Sequence, residues 1–273
     1  MNEQAKKATK RRRRWLKVSL RTFLLAITVL CVWLGFIVNR ANKQKQAVAW
    51  VREHGGTVYY DFEFYKENSE FPYKDAEPPG PDWLRKWIGI DYFADVTYVS
   101  LCDEQITDLG PLANLIELRI LDLGGTQPSD LWPLAKMKQM QVLNLSQIQV
   151  SDLSPLSGMR KMRRLSLNNT PVSDLSPLSD LTELRQLEAN FTQVSDLTPL
   201  SGMPELQQLC LYGTPITDLM PLRGITHLNL IELSDSDVSD LTPLGGMWQV
   251  TIVLNRKQQV TIPPEMEPQV IRR

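Results

Sequence analysis

From Asp108 to Asp240 the apolar positions recur with a step of 22 residues, set by neither the 3.6 of a helix nor the 2.0 of a strand. The step is marked by seven aspartates: Asp108, Asp130, Asp152, Asp174, Asp196, Asp218 and Asp240. Three residues after each comes a proline, from Pro111 to Pro243, with no insertion or deletion among the seven marks. Within the unit that starts at Asp174, the apolar residues are Leu175, Leu178, Leu181, Leu184, Leu187 and Val194. A spacing near 3 predicts a tight 3₁₀-like or extended turn. The spacing then shortens to 2 in pairs such as Leu121 and Leu123, or Leu165 and Leu167, which predicts a short strand with alternate residues inward. One such unit cannot bury its leucines alone, but stacked on its neighbours it can.

The phrase VSDLSPLSG begins at Val150 and returns, nearly unchanged, at Val172, Val194 and Val238. Its residues suit a structural task. Ser173 and Asp174 are types that cap orphan N–H groups at a helical start. Pro177 falls in the first turn, where a missing N–H costs little. Leu175 and Leu178 are predicted to point into the stack. Ala189 stands where other units place Leu123, Leu145, Leu167, Leu211 and Leu233, and Phe191 is expected to fold inward and refill that space.

Lines such as Leu184–Thr192 (LRQLEANFT), followed by VSDLTPL, resemble leucine-rich repeats, and the 22-residue DLxPL unit resembles the internalin-like, membrane-anchored bacterial type. The resemblance covers about residues 94–255. It implies an α/β solenoid: a curved array with a concave parallel sheet, short 3₁₀ or turn segments on the convex side, and protein binding. It implies no chemistry and no particular partner. An incomplete first unit places Val96, Val99, Leu101 and Ile106 at leucine positions, with the first strand near Val96–Cys102. The last unit departs from the pattern: Val250 and Val253 fit, while Asn255 falls at a core position. Residues 256–273 are expected to form a terminal cap or tail.

Charge changes the picture at the other end. The chain of 273 residues has a formal net charge of −1, yet residues 1–22 carry nine basic side chains and one acid, leaving −9 for the remainder. The basic segment runs directly into Phe23–Val38, sixteen residues without a charge. A helix of that length spans about 24 Å, slightly short of a hydrocarbon core of about 30 Å. Small residues suited to cleavage do not follow, so the segment reads as an uncleaved transmembrane anchor. The basic bias places the N-terminus in the cytoplasm and the repeats outside. Arg12–Lys17 (RRRWLK) also resembles a twin-arginine export signal. Nucleic acid is not an expected partner.

Residues 39–93 read as a membrane-proximal α/β cap. Ala47, Trp50 and Val51 share a helical face, and Gly55–Gly56 is a helix stop. Val58–Tyr65 alternates like a strand. Asp82–Gly89 is predicted to be a short helix, capped by Asp82, that lids the first repeat with Trp83, Leu84, Trp87 and Ile88.

Candidate chemistry is sparse. His54 and His227 lie in different regions without metal-ligand spacing, and no phosphate loop or nucleophile elbow occurs. Catalytic, metal-binding and cofactor-binding residues are therefore not assigned, and no cofactor is expected. Cys102 and Cys210 are five repeats apart, about 24 Å at strand spacing, too far for a disulfide. Glu188 and Glu232 flank Cys210 about 10 Å apart, the spacing of carboxylates in inverting glycosidases. An open face excludes no water, so a carbohydrate-active enzyme ranks last.

The outward residues of the strands are the candidate protein-binding face: Tyr98, Ile120, Asp122, Val142, Asn144, Arg164, Gln186, Glu188, Gln208, Tyr212 and Glu232. The expected function is a non-enzymatic, membrane-anchored interaction protein with a protein partner. The alternative is an envelope spacer without a specific partner.

Overall fold

A computed structural model describes residues 20–64, 76–101, 105–247 and 249–273. The basic run before Leu20, the twin-arginine-like stretch and Cys102 lie outside the described residues. The chain forms two compact units, Met1–Lys43 and Gln44–Arg273. The first helix, α1, is Leu20–Glu53. In the first unit many of its large apolar side chains, among them Phe23, Leu25, Val32, Trp33 and Phe36, are exposed. The Thr28 hydroxyl donates to the Leu24 carbonyl at 2.9 Å, so the polar group in this stretch is satisfied within the helix. The helix is long and apolar enough to cross a membrane, a property that signal sequences share.

The second unit is built on one ten-stranded sheet whose strands follow chain order. β2 (Val96–Ser100), β3 (Ile120–Asp122), β4 (Val142–Asn144), β5 (Arg164–Ser166), β6 (Gln186–Glu188), β7 (Gln208–Cys210), β8 (Leu230–Glu232) and β9 (Thr251–Leu254) are parallel neighbours. Between strands the chain returns through a 3₁₀ turn, as at Ser154–Leu156, Ser176–Leu178 and Thr198–Leu200. Every turn is set in the same way. The Asp carboxylate accepts the backbone N–H two residues on, at 2.7–2.9 Å, from Asp108 with Gly110 to Asp240 with Thr242. Proline follows within the first positions of the turn, where it has no hydrogen bond to lose. Hydrogen bonds from the Ser154 side chain and backbone hold the Asp152 carboxyl below its ordinary range, and Ser176 and Thr198 do the same for Asp174 and Asp196.

The leucines form columns through the stack. Leu121, Leu143, Leu165, Leu187, Leu209 and Ile231 are in register and buried. Leu175 and Leu178 are buried as the spacing predicts. Burying one such side chain contributes roughly 1.5–3 kcal/mol. A polar column runs beside them: Thr126, Thr170, Thr192, Thr214 and Ser236 are buried, and each hydroxyl donates to the carbonyl three residues back. No buried hydroxyl in that column is left without a partner, which removes the cost of taking it out of water.

Both ends differ from the sequence-based expectation. The alternation through Val58–Tyr65 makes a strand only at β1 (Thr57–Tyr60), antiparallel to β2. Tyr60 stands opposite Val96, the first residue of the partner strand; the Asp61 N–H makes one more bond, to the Asp95 carbonyl at 2.8 Å, and the chain turns into a 3₁₀ segment at Asp61–Phe64. The last repeat is one residue short: Ile231 pairs with Ile252, a step of 21. The missing residue falls between Val250 and β9. That shift puts Ile252 and Leu254 into the core columns and leaves Asn255 outside them, correcting its assignment to the core. The tail then adds β10 (Val270–Arg272), parallel to β9, so it extends the sheet.

The short helix α2 (Asp82–Ile88) forms, but it buries none of its residues. Trp83 and Trp87 are 68% and 80% exposed, so they do not lid the first repeat. Pro81 occupies the cap position without a side-chain bond, and Asp82 pairs with Arg85 instead. The first repeat is covered by the end of α1, where Ala47, Val48 and Val51 join the core. Gly56 permits this approach: a Cβ there would lie 2.6 Å from the Leu101 side chain and 2.7 Å from Val51.

Candidate functional site

The strand register sorts the candidate residues into rows. The first row is Tyr98, Ile120, Val142, Arg164, Gln186, Gln208 and Leu230. The second is Ser100, Asp122, Asn144, Ser166, Glu188, Cys210 and Glu232. Ten of the eleven predicted residues thus stand in two adjacent rows of one face, with neighbours about 4.8 Å apart. Tyr212 lies beyond β7, in a third row carried by the turns after the strands. Arg164 is exposed and the other ten are half-buried.

The face is ordered by its own hydrogen bonds. Asn144 donates to Asp122 at 2.7 Å. Glu188 accepts three donors: Gln186 at 2.7 Å, Asn168 at 2.8 Å and the Ser166 hydroxyl at 3.0 Å. Its carboxylate is therefore held in one orientation at the centre of the array. Cys210 stands between Glu188 and Glu232 in register. Burial, and then the charges of the two glutamates, push its thiol up to about 11. The thiolate is then on the order of one part in ten thousand at neutral pH, which disfavours Cys210 as a nucleophile. Glu232 accepts the Ser234 N–H at 3.0 Å. Among the described residues, no group of three or more His, Cys, Asp and Glu side chains is placed to hold a metal ion.

The third row reveals residues that reasoning from sequence missed. A recess of about 550 Å³ opens there, lined by Asn168, Asn190, Phe191, Tyr212, Glu232, Asn255 and Arg273 among others. Phe191 does not refill the space beside Ala189. It sits in the turn at φ 54°, 51% exposed, with its ring edge-on to Tyr212 at 4.7 Å. The strand ends at Glu188, so side-chain alternation no longer applies two residues beyond Ala189, and the left-handed backbone turns Phe191 outward. Gly213 makes room for that ring, since a Cβ there would lie 2.9 Å from it. A hydrogen bond with Asp235, together with its charge, raises the Tyr212 phenol above its ordinary value. The asparagines of this row are architectural: Asn168 accepts the Asn190 N–H and Asn190 accepts the Tyr212 N–H, 22 residues on in each case. Their 22-residue recurrence was the signal available in the sequence. For Arg273, which enters through β10, there was none.

Uniform turns on one wall and varied polar side chains on the other define a repeat solenoid with an open sheet face. Residues 138–180 and 160–202 match the family model for leucine-rich repeats (two copies). The chain belongs to the leucine-rich repeat family, with internalin-like repeats of 22 residues. Among solved structures, internalin C2 of Listeria monocytogenes is 32% identical, with a TM-score of 0.57 over 62% of this chain and 75% of its own. A second internalin of that organism, inlF, is 29% identical, with a TM-score of 0.56; the match covers 68% of this chain and 62% of inlF. Comparison with curated proteins finds no significant match. Solenoids of this kind generally offer their extended concave surface to protein partners.

Proposed function

We propose that this chain is a non-enzymatic adaptor, held in a membrane by Phe23–Val38, that presents its sheet face to a protein partner outside the cytoplasm. The observation that carries the reading is the contrast between the two walls. The turn wall repeats one hydrogen-bond pattern seven times and offers little by which partners could be told apart. The sheet face changes side chain from unit to unit, and Glu188 is pre-oriented on it. Preorganisation lowers the cost of ordering an interface, and varied charged and aromatic positions allow discrimination. Arg164, Gln186, Glu188 and Gln208 form the centre of the face. Tyr212, beside Phe191, supplies an aromatic anchor of a type that often dominates interfaces.

The test uses the full chain in membranes. Partner capture by the parent is compared with that by an Arg164→Glu and Tyr212→Ala double variant. Both residues lie outside the core, so folding should persist while capture is lost. Equal capture by both proteins would overturn the assignment of the face. Topology is tested separately, with protease added to sealed, right-side-out vesicles. Digestion of the repeats with an intact N-terminus supports the orientation; protection of the repeats refutes it.

A further inference from the structure

Of the two exposed tryptophans on α2, neither contributes to the core, and large aromatic side chains in that state call for an explanation. The helix has two unlike faces. Leu84, Arg85 and Ile88 are half-buried. Trp83, Lys86 and Trp87 are exposed, and their i, i+3, i+4 spacing puts them on one side. The helix is also bonded to the stretch before it. Arg85 donates to the carbonyls of Pro78 at 2.7 Å, Pro79 at 3.3 Å and Gly80, and it pairs with Asp82. The preceding proline-rich stretch is thereby tied to the helix.

The covalent path from the apolar run to this region is short. Five residues lie between Val38, the end of the uncharged run, and Gln44. Even fully extended, the six Cα-to-Cα steps reach only about 20 Å. Gln44 is buried and is locked to the segment just after α2. Its amide donates to Asp91 at 3.2 Å and to the Ala94 carbonyl at 2.8 Å, and it accepts the Val96 N–H at 3.2 Å. Asp91 also accepts the Tyr60 hydroxyl at 3.1 Å, so the junction is fastened from two sides. The segment that follows the tryptophan helix is therefore fastened to Gln44, the first residue of the second unit.

We propose that α2 is an interfacial membrane helix: Trp83 and Trp87 lie at the headgroup level of the bilayer that Phe23–Val38 spans, with Lys86 among the lipid phosphates. The inference rests on the anchor reading above. Tryptophan suits this position because its indole has an apolar body and one N–H that stays hydrated, and lysine keeps its charge in water while its stem covers apolar surface. A seven-residue helix is too short to enter the hydrocarbon on its own. Combined with the span, it gives the solenoid a second attachment to the bilayer.

The test is bromolipid quenching of tryptophan fluorescence in the full chain, reconstituted into phosphatidylcholine–phosphatidylglycerol vesicles. Bromines are placed either near the headgroup end of the acyl chain or near its tip. Trp15, Trp50, Trp132 and Trp248 are replaced by Phe in every sample, because Trp15, eight residues before Phe23, would itself report shallow bromines. In that background Trp33, within the span, reports the deep bromines, and Trp83 and Trp87 report the shallow ones. Replacing Trp83 and Trp87 by Phe should remove most of the shallow quenching and leave the deep quenching unchanged. Trp33→Phe should do the reverse. Shallow quenching that survives the Trp83/Trp87 replacement, while Trp33 still reports the deep bromines, overturns the interfacial helix and leaves the span intact. Absence of deep quenching at Trp33 overturns the span and, with it, this inference. Tryptophans shielded from water but not quenched by either lipid also overturn it, in favour of a protein contact. Both positions are exposed, so the substitutions should not disturb folding; an unchanged thermal melt of the double variant checks this.

Discussion

The turn wall and the sheet face are made by the same 22-residue unit, yet they spend their polar groups differently. On the turn wall each Asp has one task, to accept the N–H two residues on, and it performs it at nearly the same distance seven times. On the sheet face the polar groups change with each repeat, and several bond sideways to the neighbouring strand, as Asn144 does with Asp122 and Ser166 with Glu188. Repetition on one side fixes the spacing of the stack, which leaves the other side free to vary. The difference teaches that repetition in this sequence marks load carried by the fold, while variation marks what is available for recognition.

The contrast can be broken most severely in the core that both walls share. Leu175 is buried beside the turn of its unit. Leu175→Asp places an unpaired charge in an apolar stack and should cost several kcal/mol, unfolding neighbouring repeats as well. A melt indistinguishable from the parent would contradict the register.

A second test sharpens the turn wall through pH. Folding lowers the Asp152, Asp174, Asp196 and Asp240 carboxyls below their ordinary values, through the hydrogen bonds from Ser154, Ser176, Thr198 and Thr242. A depressed folded-state value means that the ionised form is favoured by folding. This contribution is therefore fully present above the ordinary carboxylate range and is lost as pH falls through the lowered values. Asn at the four positions can still accept the N–H but does not titrate. The fourfold Asn variant should show a shallower loss of melting temperature on acidification than the parent; parallel acid profiles would show that these turns contribute nothing to it.

The smallest effect concerns Ala189. Its column neighbours are Leu167 and Leu211, and Phe191 lies outside. Ala189→Leu should therefore stabilise the stack by about 1 kcal/mol. A lower melting temperature would mean that neighbouring leucines already close over the alanine and that the larger side chain overpacks it.

These cases also mark how far the sequence was legible. The strands, the 3₁₀ turns and the two rows of the face follow from the 22-residue step, because a strict period fixes which residue stands beside which. The readings that failed lie where periodicity ends. Distance from Ala189 predicts an inward Phe191, but the strand stops before it and the chain there has left-handed backbone. Extending the period puts Asn255 in the core, but the last unit is one residue short. Size and apolarity predict a covering role for Trp83 and Trp87, but the end of the first helix, through Ala47, Val48 and Val51, joins the core there instead. The recess at Tyr212 draws on Arg273 through β10, a pairing that nothing in the local sequence announces.

The central claim, that the sheet face and not the turn wall meets a partner, is tested most directly by site-specific photo-crosslinking in the native membrane. A photoreactive residue is placed at Gln186 on the face or at Ser179 on the turn wall, one at a time in the full chain. The account predicts a discrete adduct from position 186 and none from 179. An adduct from 179 alone would move recognition to the repeated wall, and adducts from neither position would favour a spacer without a specific partner.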